Sequence, residues 1–137
     1  MPSNRYEGGE GSLQNVIVLG TGAVSTQTKI MGLLPKNCAV TGVRYHGQGA
    51  VTASGGLTAE AFARTTAGAT GVSLQASATD IKFGSAALAL AGTAATLTTT
   101  SGDQYASENQ VVEVTVTTSN CSAGPGDLLV EVEYAPR

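Results

Sequence analysis

Apolar and polar residues alternate with a period of two along much of this chain, most regularly in its C-terminal third. Val112, Val114 and Val116 alternate with Glu113, Thr115 and Thr117. Leu128, Val130, Val132 and Tyr134 alternate with Leu129, Glu131 and Glu133. Successive side chains of a strand point to opposite faces, so each run sets one face on a core and the other toward water. The spacing predicts two long strands joined by the loop 119–126, which carries Gly124-Pro125-Gly126. The simplest expectation pairs these strands antiparallel; a loop this long also allows a crossing to an opposite sheet.

Upstream, Val16-Ile17-Val18-Leu19 is an apolar run closed by Gly20-Thr21-Gly22. A Ser/Thr/Gln-rich stretch ends at Lys29-Ile30, and Pro35-Lys36-Asn37 reads as a turn. Residues 39–45 place Val40, Val43 and Tyr45 among Thr and Gly, with Gly47-Gln48-Gly49 closing the run. Residues 57–64 carry two signals. Leu57, Ala59, Ala61 and Ala63 alternate as in a strand, whereas Glu60 and Arg64 stand one helical turn apart and alanine favours helix. The β-like surroundings, including Thr65-Thr66, favour strand. Short strands follow at Val72 and Leu74 and at Ile81 and Phe83, with weaker ones over 87–91 and 95–99 and a turn at Ser101-Gly102-Asp103.

About eight to ten short strands, with turn signals every ~8–12 residues, predict an all-β chain folded as an antiparallel β-sandwich. Residues 13–137 suit a single sandwich domain. Residues 1–12, with Gly8, Gly9 and Gly11, read as an extended, flexible N-terminal arm on which Arg5, Tyr6 and Glu7 are candidates for anchoring on a partner. The first residues lack the apolar stretch of a secretory signal, and no apolar run approaches the ~20 residues of a membrane-spanning helix. Synthesis in a cytoplasm without export is the expectation.

Composition sharpens this picture. Only 12% of residues are charged, against ~25% in ordinary globular chains. Aromatic residues make up 4%, with no Trp, although 42% of the chain is hydrophobic. The core must therefore come from small and β-branched side chains, which suit two sheets about 10 Å apart. The net charge is -3, and the basic residues Arg5, Lys29, Lys36, Arg44, Arg64, Lys82 and Arg137 are scattered. That distribution offers no clustered basic face for nucleic acid. Cys38 and Cys121 are expected to be free thiols in a reducing compartment.

Candidate chemistry is sparse. His46 is the only histidine, so a Ser-His or Cys-His pair would have to use it, and no Gly-x-Ser-x-Gly elbow occurs. One His and two distant Cys do not make a zinc set. Asp80, Asp103 and Asp127 are oxygen donors in principle for calcium, but without the dense Asp run of a calcium loop. Glu113, Glu131 and Glu133 alternate with core positions and read as a solvated sheet face. The Gly-rich turns lack the spacing of a phosphate cradle. No catalytic, cofactor or metal residue is assigned. Residues 76–100 hold only Asp80 and Lys82 as charges, and a neutral surface of this kind favours burial in an assembly.

The runs 38–66 and 87–137 resemble small virion proteins of tailed bacteriophages. They are similar in particular to capsid cement or decoration proteins with a jelly-roll-like sandwich. The likeness spans residues 37–137 and lies in a strand ending Thr41-Gly42-Val43-Arg44, an Ala/Gly/Thr-rich middle, a Gly-rich turn and a closing strand Leu129-Val130-Glu131-Val132-Glu133-Tyr134. It implies a jelly-roll-like fold with neither catalysis nor cofactor. The partners it implies are the major capsid protein, whose subunits are bridged on the outside of an icosahedral shell, and the chain itself as dimer or trimer. Neither nucleic acid nor membrane is among them. Beside the arm residues, Arg44, Tyr45, Tyr134 and Arg137 are interface candidates on our own reading. Competing expectations are another virion surface part, such as a head-fibre base or tail component, and a carbohydrate-binding module, which needs exposed aromatics around Tyr45 or Tyr105.

Overall fold

Where the alternation is longest, the chain forms its longest strands. A computed structural model describes residues 11–47, 51–53, 56–64, 71–81, 93–98, 105–106 and 110–136. The twelve strands among them are β1 (Gly11–Gly20), β2 (Gln27–Leu34), β3 (Cys38–Gly47), β4 (Thr52–Ala53), β5 (Leu57–Arg64), β6 (Val72–Ser73), β7 (Thr79–Asp80), β8 (Thr93–Ala94), β9 (Tyr105–Ala106), β10 (Gln110–Thr118), β11 (Cys121–Ala123) and β12 (Gly126–Pro136). The expected strand over 87–91 and the turn 101–103 lie outside the described residues, as do residues 1–10 of the expected arm. The last two arm residues, Gly11 and Ser12, belong to β1 and pair with Tyr134 and Glu133.

The protein is an all-β antiparallel sandwich. Its front sheet runs β1-β12-β3, with β8 and β9 both on β3; its back sheet runs β2-β10-β5, with β6 and β7 both on β5. Taking β6 with β7 as one interrupted strand and β8 with β9 as another leaves eight strands in two four-stranded sheets, besides the small β4–β11 ribbon. The chain visits the sheets in the order front, back, front, back, back, front, back, front, which is the winding of a jelly roll.

The two C-terminal strands do not pair with each other. β10 lies in the back sheet between β2 and β5, and β12 lies in the front sheet between β1 and β3. The simpler expectation of an antiparallel pair is thus corrected: the loop carries a crossing. Alternation left both arrangements open, because each buries one face of each strand. The crossing segment holds β11, which pairs with β4, and a buried Gly124-Pro125-Gly126. It is tied to its neighbours by backbone bonds from Val24 N to Cys121 O (3.2 Å), Gly124 N to Gly22 O (2.9 Å) and Ser119 N to Gly56 O (2.8 Å). A Cβ on Gly124 would stand 2.5 Å from both Gly20 O and Val24 Cγ2, so this close approach requires glycine.

The core between the sheets is filled as the composition demands. Val112, Val114 and Val116 of β10 face Val40, Val43, Leu128, Val130 and Val132 of the front sheet from the back, and all are buried. β5 is a strand over its whole expected length, with Leu57, Ala59, Ala61 and Ala63 buried. Sheet context overrides the helix propensity of alanine there, because period two alone puts all four on the core. These small side chains leave room for Tyr45, the largest fully buried side chain, to reach from β3 across to the back sheet.

Tyr45 meets the interruption between β6 and β7. Between β6 and β7 the chain leaves β5, and the side chain of Gln75 takes the place of strand backbone. Its Oε1 accepts from Ala61 N (2.9 Å) and from the Tyr45 hydroxyl (2.5 Å). Its Nε2 donates to Ala59 O (3.3 Å), Ser77 O (3.0 Å) and Thr79 Oγ1 (3.0 Å). Displaced from β5, Gln75 forms a bridge with Leu97, flanked by bonds from Ala76 N to Thr96 O (2.9 Å) and Thr98 N to Leu74 O (3.1 Å). One residue earlier, Ala95 N donates to Val43 O (2.8 Å) in the front sheet. Residues 93–98 thus join the front sheet to the back along this flank.

Candidate interaction surface

The polar side chains of the front sheet gather on its outer face. Cross-strand register sets Gln14, Glu131 and Arg44 in one row and Ser12, Glu133 and Gly42 in the next. His46 Nε2 lies 2.7 Å from Glu131 Oε1, and Gln14 Nε2 donates to the other Glu131 oxygen at 3.2 Å. Arg44 Nε donates to Glu133 Oε1 at 3.4 Å. Both glutamates of β12 are therefore engaged by neighbouring strands. His46, the sole candidate for imidazole catalysis, hydrogen-bonds a carboxylate.

The outer face of the back sheet is different. Glu113 is only 8% exposed, which corrects the expectation of a solvated carboxylate. Register places it between Ile30 on β2 and Phe62 on β5, and Arg64 Nε donates to its Oε1 at 2.5 Å. Apolar neighbours remove water from the carboxylate, and the guanidinium compensates. Ile30 (61% exposed) and Leu33 (58%) stand out from β2 on this face.

β1 and β2 are the edge strands of one flank. Leu13 packs against Gly32, where a Cβ would sit 3.3 Å from its methyl, and Asn15 Nδ2 donates to Ile30 O at 3.1 Å. β2 carries an extra residue, Met31, between the positions facing Val112 and Glu113, which makes a bulge. It also carries Lys29. β1 keeps unbroken register with β12 from Gly11 to Val18 and has no charged residue. Its outer face exposes Val16 (37%) and Val18 (68%).

The interface residues expected from sequence scatter in this geometry. Arg44 and Tyr134 both lie in the front sheet, on β3 and β12. Arg44 is ion-paired, and Tyr134 is partly buried, with its phenol over Gly11. Tyr45 is corrected: it is fully buried, and presents no ring to a partner or a sugar. Burial pushes its phenol pKa far above the ordinary value, and the charge of Glu60 adds to the rise. Arg5, Tyr6, Glu7 and Arg137 lie outside the described residues. Among the calcium candidates, Asp80 is on β7 of the back sheet and Asp127 on β12 of the front sheet; Asp103 lies outside the described residues. Among the described residues, no cluster of three or more His, Cys, Asp or Glu side chains is placed to hold a metal. Cys38 and Cys121 are free, buried thiols. Sequence reading did not single out Val16, Val18, Ile30 and Leu33 as surface residues. The signal available for the first two was a strand with valines at alternate positions and no charge.

No protein-family model matches the chain, and no curated protein matches it in sequence. Among solved structures, it is similar to a chain from the capsid of Ralstonia phage GP4, with a TM-score of 0.58 at 13% identity. The likeness covers 93% of this chain and 84% of that one. It is a likeness of fold.

Proposed function

We propose that this chain is a non-enzymatic structural protein of a bacteriophage virion. In this reading it is a cement or decoration protein that sits on the outside of an icosahedral shell and bridges major capsid protein subunits. The observation that carries the proposal is the jelly-roll fold, matched over nearly the whole chain by a phage capsid structure. The sparse charge of the chain supports it, because a neutral surface loses little solvation energy when buried. The partners are the major capsid protein and further copies of the chain itself, and assembly follows synthesis in the host cytoplasm.

A ligand that binds only the assembled shell stabilises it by mass action, and many equal copies multiply a modest energy per copy. The arm residues Arg5, Tyr6 and Glu7, with Arg137, are the proposed anchors beside Arg44 and Tyr134 of the front sheet.

The test mixes the purified chain with shells of the major capsid protein encoded in the same genome, before and after expansion, and images them by electron microscopy. Regular outer density in many copies per shell is the expected result. Absence of binding to either form would overturn the cement reading, and density in a few copies at one vertex would favour a fibre or tail part instead.

A further inference from the structure

We propose that β1 is a self-pairing edge. Its side away from β12, which no strand among the described residues covers, pairs antiparallel with β1 of a second copy about a twofold axis, which joins two front sheets into one continuous sheet. The proposal supplies a surface for the self-association proposed above and rests on that reading, but its test needs no shell.

Val16 N donates to Asn15 Oδ1 at 2.8 Å, so the backbone groups of Val16 point away from β12, and pairing with a second strand exchanges this exposed side-chain bond for a backbone one. Backbone groups of alternate residues point the same way in a strand, which places those of Ser12, Gln14 and Val18 on the same free side. Side chains of these residues share the outer face. Pairing Val16 opposite Val18 of the second copy satisfies both alternations and gathers four valines on one face.

Edge strands are ordinarily blunted by charge, proline, bulges or shortness. β2, on the same flank, has Lys29 and the bulge at Met31. β6, β7, β8 and β9 have two residues each. β1 has ten residues and, from Gly11 to Val18, none of these devices.

The occupant follows from charge. In a twofold contact every residue near the axis meets its own copy, so any charge there meets a like charge. β1 carries none, and a neutral, apolar strand is complementary to itself. One strand pair buries well under the ~1,200 Å² of small stable interfaces, so the joint is a weak, concentration-dependent dimer.

Sedimentation velocity of the full chain, across a series from micromolar to millimolar concentration, tests it. The expected result is a monomer–dimer equilibrium that Val18→Lys weakens by roughly tenfold or more, with Val72→Lys, exposed on another strand, as a control that leaves it unchanged. A mixture of Val16→Cys and Val18→Cys chains is expected to give a disulfide-linked dimer on mild oxidation. A monomer at every concentration would overturn the proposal. So would a dimer indifferent to Val18→Lys, or the absence of the mixed disulfide, since either moves the joint elsewhere. If the dimer forms as described but the chain ignores shells, the cement reading fails and the self-pairing edge stands.

Discussion

The two flanks of the sandwich are closed in opposite ways. On one, the strands β6, β7 and β8 are short, and the residues that follow β6 and β8 stitch back sheet to front with backbone bonds around Gln75 and Leu97. On the other, β1 and β2 run long, and the described contacts between them are a side-chain bond from Asn15 to Ile30 O and the packing of Leu13 on Gly32. The first flank spends its hydrogen-bonding groups inside the molecule. The second leaves β1 paired with β12 alone among the described residues, beside exposed valines. The stitched flank is therefore the place where substitution damages the fold, and the open flank is where it changes association.

Gln75→Leu is expected to have the largest effect. It keeps the shape but leaves Ala61 N, Ala59 O and the Tyr45 hydroxyl without their partner, at a cost of about 3 kcal/mol. Urea denaturation measures it, and a loss no larger than that of a surface substitution would show that the flank is not held by this amide. Tyr45→Phe removes a single bond to an oxygen that keeps Ala61 N, so a loss of about 1 kcal/mol is expected near neutral pH.

The same variant has a pH signature. The folded protein holds the Tyr45 phenol neutral, with a pKa above the unfolded value. Its contribution is therefore full below about pH 10 and declines as pH rises beyond that, where the unfolded chain ionises and the folded one does not. Part of the alkaline loss of stability should disappear in Tyr45→Phe; denaturation curves at neutral and alkaline pH that shift equally for both proteins would contradict this.

On the open flank, Asn15→Ala is expected to cost only about 0.5 kcal/mol, because the bonds it removes are exposed to water. Val18→Lys is expected to leave monomer stability within ~0.5 kcal/mol, since the side chain is mostly outside. A melting temperature lowered as far by either as by Gln75→Leu would erase the contrast between the flanks.

The regular part of this fold was legible from residue pattern. β5 was read to its end residues despite the rival helical signal, and the Pro35-Lys36-Asn37 turn stands between β2 and β3 with Asn37 in the left-handed region at φ 60°. The candidate surface was less legible. Arg44 and Tyr45 were both expected to face a partner; Arg44 lies on the outer face beside Glu133, while Tyr45, its neighbour in sequence, is turned into the core. Adjacent strand residues lie on opposite faces, so only one of the two was ever available to a partner. Choosing between them needs knowledge of which face the second sheet covers. Gln75 carried no signal at all, because an amide acting as strand backbone looks in sequence like any polar loop residue.

The sequence by itself determined that this is a chain of short strands with a small-residue core, since period-two alternation and β-branched filling depend on neighbours along the chain. Only the tertiary structure decided that β10 and β12 lie in opposite sheets, that Glu113 is enclosed while Val18 stands outside, and that β1 pairs on one side only among the described residues. These are contacts between residues remote in sequence. An alternating strand buries one face equally well in several pairings, and the choice among them is made when two sheets close over one core.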